Sequence, residues 1–218
     1  MNKLGCVAAV GLLLAASSAG AQSSDAFRDS WVWGAKAGVV SIGTTDAPST
    51  ARPTIGLDWL ITRSIGGLYV STDYTSVEMH GSVADPSSPS GRRLVRFHNL
   101  RRAGFAALAF PRAFGPVRPY AGLGLSINVI ARAEPVPDTL GGTVSAAVVE
   151  RANDARSRSV LQGMAGAQMQ LSRVAVFGQL TMMPSTQRFL VNERSLHFFE
   201  AGVRYNFGPS TDRGSRVR

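Results

Sequence analysis

Ser195 and His197 are the closest the chain comes to a nucleophile beside its base. Nucleophilic catalysis needs a base within hydrogen-bond reach of the hydroxyl and a third group that orients it. Two residues at this spacing share one face of a strand, and Glu193 and Glu200 lie close in sequence. No catalytic motif surrounds the pair, however, and a Ser and a His two apart recur by chance. His80 and His98 are isolated. The sequence holds no paired-carboxylate site, no metal-ligand spacing and no phosphate loop. Gly122 and Gly124 are small residues alternating with apolar ones, not a nucleotide fingerprint. The chain therefore reads as a non-enzyme without cofactor or metal.

Charge offers a second kind of chemistry. Lys36, Asp58, Asp73, Arg118, Glu200 and Arg204 fall on the polar phase of alternating segments, three positive and three negative. An enclosed charge is costly unless paired, so this set suggests a network. Two readings fit: a static, salt-bridged plug, or a gated small-solute pore whose charges exchange partners. A third group, Arg92, Arg93, Arg96, Arg151, Arg156 and Arg158, lies in polar segments. Guanidinium groups there could contact the anionic phosphates of lipopolysaccharide; a solvated loop face explains them as well.

These residues need elements to hold them, and the elements are strands. From Val117, apolar Val117, Pro119, Ala121, Leu123, Leu125, Ile127 and Val129 alternate with Arg118, Tyr120, Gly122, Gly124, Ser126 and Asn128. Strict alternation marks a strand with two unlike faces. Eight such segments are expected near 31–42, 54–62, 66–77, 94–110, 117–131, 159–171, 174–182 and 195–207, the fourth with an ambiguous inward face. Most reach the 9–11 residues that a tilted transmembrane strand requires. The connections alternate in expected length: long at 43–53, 78–93, 132–158 and 183–194, short at 63–65, 111–116 and 172–173. A short helix over 151–158 is expected in the longest. Short turns on one side and long loops on the other mark an outer-membrane barrel. No mature segment has the continuous apolar length of a transmembrane helix, and a closed barrel is the other structure that satisfies its backbone in lipid.

The first residues point to export. Lys3, the apolar run Val7–Ala16 and the small residues Ala19-Gly20-Ala21 have the form of a cleaved signal peptide over 1–21. Its removal takes the single cysteine, Cys6, and with it any disulfide or thiolate chemistry. The barrel is expected over 22–207 and a short basic periplasmic tail over 208–218. The formal charge of +9 would suggest nucleic acid in a soluble protein; dispersed arginines and export argue against that partner. Trp31, Trp33, Trp59, Tyr205 and Phe207, with Phe110 and Phe114 toward the same end, fall where an interfacial aromatic girdle belongs.

The closing segment Phe199-Glu200-Ala201-Gly202-Val203-Arg204-Tyr205-Asn206-Phe207 resembles the last strand of small outer-membrane barrels, which alternates and ends on Phe. With the leader and the connections, the mature chain resembles the eight-stranded family that includes the OmpA transmembrane domain and OmpW-like proteins. Eleven residues follow Phe207, unlike the family's terminal Phe, and a barrel without the OmpA family's peptidoglycan-binding domain is expected. The resemblance implies an all-β, eight-stranded, antiparallel up-and-down transmembrane barrel in the bacterial outer membrane. Its expected partners are outer-membrane lipids, lipopolysaccharide and, during insertion, the barrel-assembly machinery; a monomer is expected. A structural or surface-interaction role leads. A small-solute or hydrophobic-compound channel, a lipid A-modifying enzyme and a soluble lipocalin-like binder are the alternatives.

Overall fold

The computed structural model describes residues 29–63, 65–111, 113–137, 144–184, 189–191 and 195–209. The expected signal peptide over 1–21 and the tail beyond Pro209 lie outside them. Eight strands follow one another: β1 Ser30–Thr44, β2 Ala47–Thr62, β3 Gly66–Ala84, β4 Arg92–Ala109, β5 Val117–Pro135, β6 Ser157–Leu171, β7 Val174–Met183 and β8 Leu196–Pro209. Each pairs antiparallel with the next, and β8 returns to β1 with Trp33 opposite Tyr205, so the sheet closes into a barrel. Closure leaves no edge through the paired zone. The expected fold class is the observed one.

Alternation decides which side chains face in. Even positions of β1, β2, β6 and β8 and odd positions of β3 and β7 are turned to the interior. β4 changes phase partway: Val95 and Phe97 point in, then Leu100 and Arg102. Asn99, with φ of 56°, sits at the change, and the β3–β4 register slips between Thr75 and Glu78. A residue inserted in a ladder reverses every face beyond it, which is why β4 could not be assigned one inward face from its pattern.

The outer wall is apolar over a limited height. On β1, Trp31, Trp33, Ala35, Ala37 and Val39 face out before Ser41; on β8, Phe207, Tyr205, Val203, Ala201 and Phe199 face out before His197. Leu123 is 76% exposed and Ile55 62%, values that would be a liability for a protein surrounded by water. Nine tilted strand residues span a band about 25 Å tall. Arg101 and Arg132 close the band on β4 and β5.

Both described termini lie at the near end, where two of the turns, β2–β3 and β6–β7, are tight. Arg63 N donates to Gly66 O across the β2–β3 turn at 2.7 Å, and Ser172, with φ of 58°, turns β6 into β7. At the far end the expected loops are corrected. Residues 43–53 are not a loop: only Thr45 and Asp46 separate β1 from β2, so connection length does not alternate without exception. Likewise the connection expected over 78–93 shrinks to 85–91. Strands β3 and β5 are 19 residues long, more than the apolar band uses. Above that band the outward face of a hairpin meets water while the inward face stays buried, as at Met79 and Val83 of β3 and Val95 and Phe97 of β4, so polar sequence there is strand and not loop. Pro48 is tolerated because β2 pairs with β3 only from Thr54 onward, leaving that stretch an open edge. The short helix also moves: α1 spans Ala146–Asp154, while Ser157 and Arg158 pair with Val129 and Asn128 in the β5–β6 ladder.

Candidate functional site

The interior is filled in three layers. Near the termini, Val32, Leu60, Tyr69, Ala106, Leu108, Phe110, Tyr120 and Met164 form an apolar layer. At the far end a larger apolar cluster includes Val40, Phe97, Leu100, Ile130 and Phe198. Val148 and Ala152, one turn apart on α1, and Phe189, Leu190 and Val191 close over it. Between the two lies a polar layer to which every strand contributes.

Its charged centre is a ring of four. Lys36 Nζ on β1 lies 2.7 Å from Asp73 Oδ1 on β3 and 2.9 Å from Glu200 Oε1 on β8. Arg102 on β4 closes the ring, with Nη2 at 2.7 Å from Asp73 Oδ2 and 3.1 Å from Glu200 Oε1. Each cation thus bridges the same two carboxylates. The Arg102 guanidinium also stacks on the Phe198 ring, 3.9 Å from its centroid.

A second pair sits below. Arg204 of β8 is fully buried; its Nη2 and Nε lie 2.7 and 3.0 Å from Asp58 Oδ2 on β2. Its Nη1 donates to Gln168 Oε1 on β6 at 3.0 Å, and its guanidinium covers the Phe177 ring at 3.6 Å. Gln179 of β7 ties the pair to the ring. Its Nε2 donates to Glu200 Oε2 at 2.9 Å and to the Tyr69 hydroxyl at 3.0 Å, while its Oε1 accepts from the Tyr120 hydroxyl of β5 at 3.0 Å. The network is neutral, three cations against three carboxylates. It is also multiply hydrogen-bonded, which is what buried charge requires.

Of the six ionisable residues expected in the lumen, Lys36, Asp58, Asp73, Glu200 and Arg204 lie in this layer. Arg118 does not: it is half-buried near the start of β5, close to the turn end. The cation missed from the sequence is Arg102, hidden by the phase change at Asn99. A signal for it exists. An inward glycine lies two residues from five of the six charges: Gly34 and Gly38 flank Lys36, Gly56 precedes Asp58, Gly104 follows Arg102, and Gly202 lies between Glu200 and Arg204. A side chain at Gly56 would meet the Asp73 carboxylate and the Thr72 carbonyl; one at Gly34 would meet the Asp58 carboxylate. The glycines make room for the long polar side chains beside them. Arg118 stands between Pro116 and Tyr120 instead.

Searches of solved structures return barrels of this kind. Neisserial surface protein A matches with a TM-score of 0.52 and 18% identity, over 81% of this chain and 97% of that one. Ail, the attachment invasion locus protein of Yersinia pestis, matches with a TM-score of 0.50 and 12% identity, over 83% of this chain and 99% of that one. No family model matches the sequence, and no curated protein does. The fold is that of the small outer-membrane barrels.

The remaining candidates fall on either side of such a barrel's wall. Trp31 and Trp33 both pack on Trp59 at the near rim, with centroids 5.2 and 5.7 Å apart, and Tyr205 meets Phe207 at 4.9 Å. Arg92, Arg96 and Arg151 are exposed at the far end; Arg156 and Arg158 are half-exposed. Arg93 differs from the other five. It has the inward phase of upper β4, is buried, and its Nε lies 2.8 Å from Asp85 Oδ2, so it is not a surface contact. His197 lies on the face of β8 opposite Glu200, which the ring holds inside; Ser195 is exposed just ahead of β8, and Glu193 is outside the described residues. The Ser–His–carboxylate constellation weighed in the sequence is therefore not assembled through Glu200.

Proposed function

We propose that the protein is an integral barrel of the bacterial outer membrane whose lumen is sealed and whose role is structural or surface interaction, carried by the far-end hairpins. The observation that carries this reading is the stacking of the lumen: an apolar layer, a neutral ion network from five strands hydrogen-bonded to side chains of the other three, and a second apolar layer capped by α1 and residues 189–191. An ion crossing it would have to leave water twice and separate paired charges between. The apolar outer band supports membrane insertion, and the two tight near-end turns, β2–β3 and β6–β7, favour a periplasmic position for the termini. The two similar solved barrels are named as a surface protein and an attachment protein; a role of that kind is proposed here on the geometry of this chain.

Planar-bilayer recording of the purified protein tests the seal. The expected trace is silent; discrete single-channel steps from the unmodified protein would show a small-solute pore instead. Membrane fractionation with unheated and boiled gel migration tests the location, since a folded barrel shifts on boiling and a soluble binder would be recovered from the periplasm.

A further inference from the structure

A cavity of about 680 Å³ opens at the far end, between the β3–β4 hairpin, α1 and the start of β6. Three guanidinium groups from three elements line it: Arg92 of β4, Arg151 of α1 and Arg158 of β6. One carboxylate, Asp154, joins them, and Leu190 contributes to an apolar floor. None of the three arginines is ion-paired among the described residues. Arg151 Nη1 donates to the Ala84 carbonyl at 2.9 Å and Arg92 Nη2 to the Thr45 hydroxyl at 3.0 Å, both neutral acceptors that fix the side chains without cancelling their charge. Two lining atoms shielded from solvent, Arg158 Nε and Ser82 Oγ, have no hydrogen-bond partner among the described residues.

A buried donor without an acceptor is costly, and guanidinium groups lining one cavity match the oxygens of a phosphate. The volume is that of a small-ligand pocket. We propose that this cavity binds a phosphorylated saccharide, its phosphate held by Arg92, Arg151 and Arg158 and its less polar face resting toward Leu190. Such a group could come from the sugar core of lipopolysaccharide in the same membrane or from a soluble sugar phosphate. The site depends on the outer-membrane reading only for its access from outside.

The test uses the full chain, folded in detergent for glucose 6-phosphate against glucose, and in lipid nanodiscs for lipopolysaccharide against the same material dephosphorylated. Calorimetry should find that at least one phosphorylated probe binds and that its unphosphorylated counterpart binds about tenfold more weakly or worse. Arg151→Gln with Arg158→Gln should weaken that binding by a similar factor. Arg63→Gln, at the opposite end, should not, and unchanged heat-shifted gel migration confirms that each variant is folded. Binding of glucose 6-phosphate supports a soluble source, and binding of lipopolysaccharide alone supports the membrane source. Equal binding with and without phosphate, no binding of either phosphorylated probe, or full affinity in the doubly substituted variant would overturn the site. A protein that binds these probes but conducts ions would refute the sealed-barrel reading and leave the site standing.

Discussion

Arginine appears at both levels of this barrel, in opposite circumstances. Inside, Arg102 and Arg204 are buried and each meets a carboxylate at 2.7 Å, with an aromatic ring under the guanidinium. At the mouth, Arg92, Arg151 and Arg158 line a cavity and rest on neutral acceptors or none. The difference follows from solvent. Within the wall an uncompensated charge has no water to fall back on, so the chain supplies one carboxylate per cation. Above the wall water supports a charge, and compensation is optional. On the proposed reading, balanced arginines hold the lumen closed and unbalanced ones are free to serve recognition.

The sharpest way to break this contrast is to remove a balanced cation. Arg204→Ala leaves the Asp58 carboxylate buried without its cation, and breaking a buried pair from one side costs about 3–5 kcal/mol. Urea unfolding in detergent should show that loss. Replacing both partners, Arg204→Met with Asp58→Leu, should recover most of it. If the double variant is as unstable as the single, the pair is not acting through charge compensation.

The glycines give the next largest effect. Gly56→Ala places a methyl group against the Asp73 carboxylate and the Thr72 carbonyl. Overpacking of this kind costs about 1–3 kcal/mol, and the same unfolding assay reads it. By contrast, Arg118→Gln at the half-buried turn end should cost about 0–1 kcal/mol, the range of solvent-accessible charge interactions. A loss for Arg118→Gln equal to that for Arg102→Gln would dissolve the distinction between layer and rim.

That distinction also separates what the sequence made legible from what it did not. Strand number, the closing pair β1–β8 and five of the ionic residues follow from alternation, because the pleat ties sequence parity to a face. Arg102 is hidden because Asn99 reverses parity within β4, and an inserted residue leaves no mark in the alternation itself. Far-end hairpins look like loops in the sequence because the polar outward positions above the apolar band no longer distinguish strand from coil. The mouth cavity could not be read at all. Arg92, Arg151 and Arg158 are far apart in sequence, and only the docking of α1 against the β3–β4 hairpin brings them to one cavity. Arg93 shows the same limit at one residue's distance: its neighbour Arg92 faces solvent, while Arg93 turns inward to Asp85.

The Asp85–Arg93 contact yields the smallest effect, and it probes the mouth without touching the lumen. Asp85 Oδ1 accepts from the Ser87 hydroxyl at 2.5 Å and from the Ser87 backbone N–H at 3.0 Å, folding the β3–β4 tip on itself. These bonds to Ser87 first, and then Arg93, hold the Asp85 carboxyl below its ordinary value of 3.8. A depressed folded-state value means that the ionised form is favoured by the closed tip. The contribution is therefore fully present above about pH 4 and is lost as pH falls through the lowered value. Amide hydrogen exchange at Ser87 and Ser88 should stay slow at neutral pH and quicken in acid relative to model peptides at the same pH, and Asp85→Asn should quicken it already at neutral pH. The barrel itself should keep its heat-shifted gel migration throughout, because the ion ring lies in a separate layer. Opening of the tip and loss of that migration in one transition would mean that the mouth and the lumen are a single cooperative unit, and the contrast between them would fail.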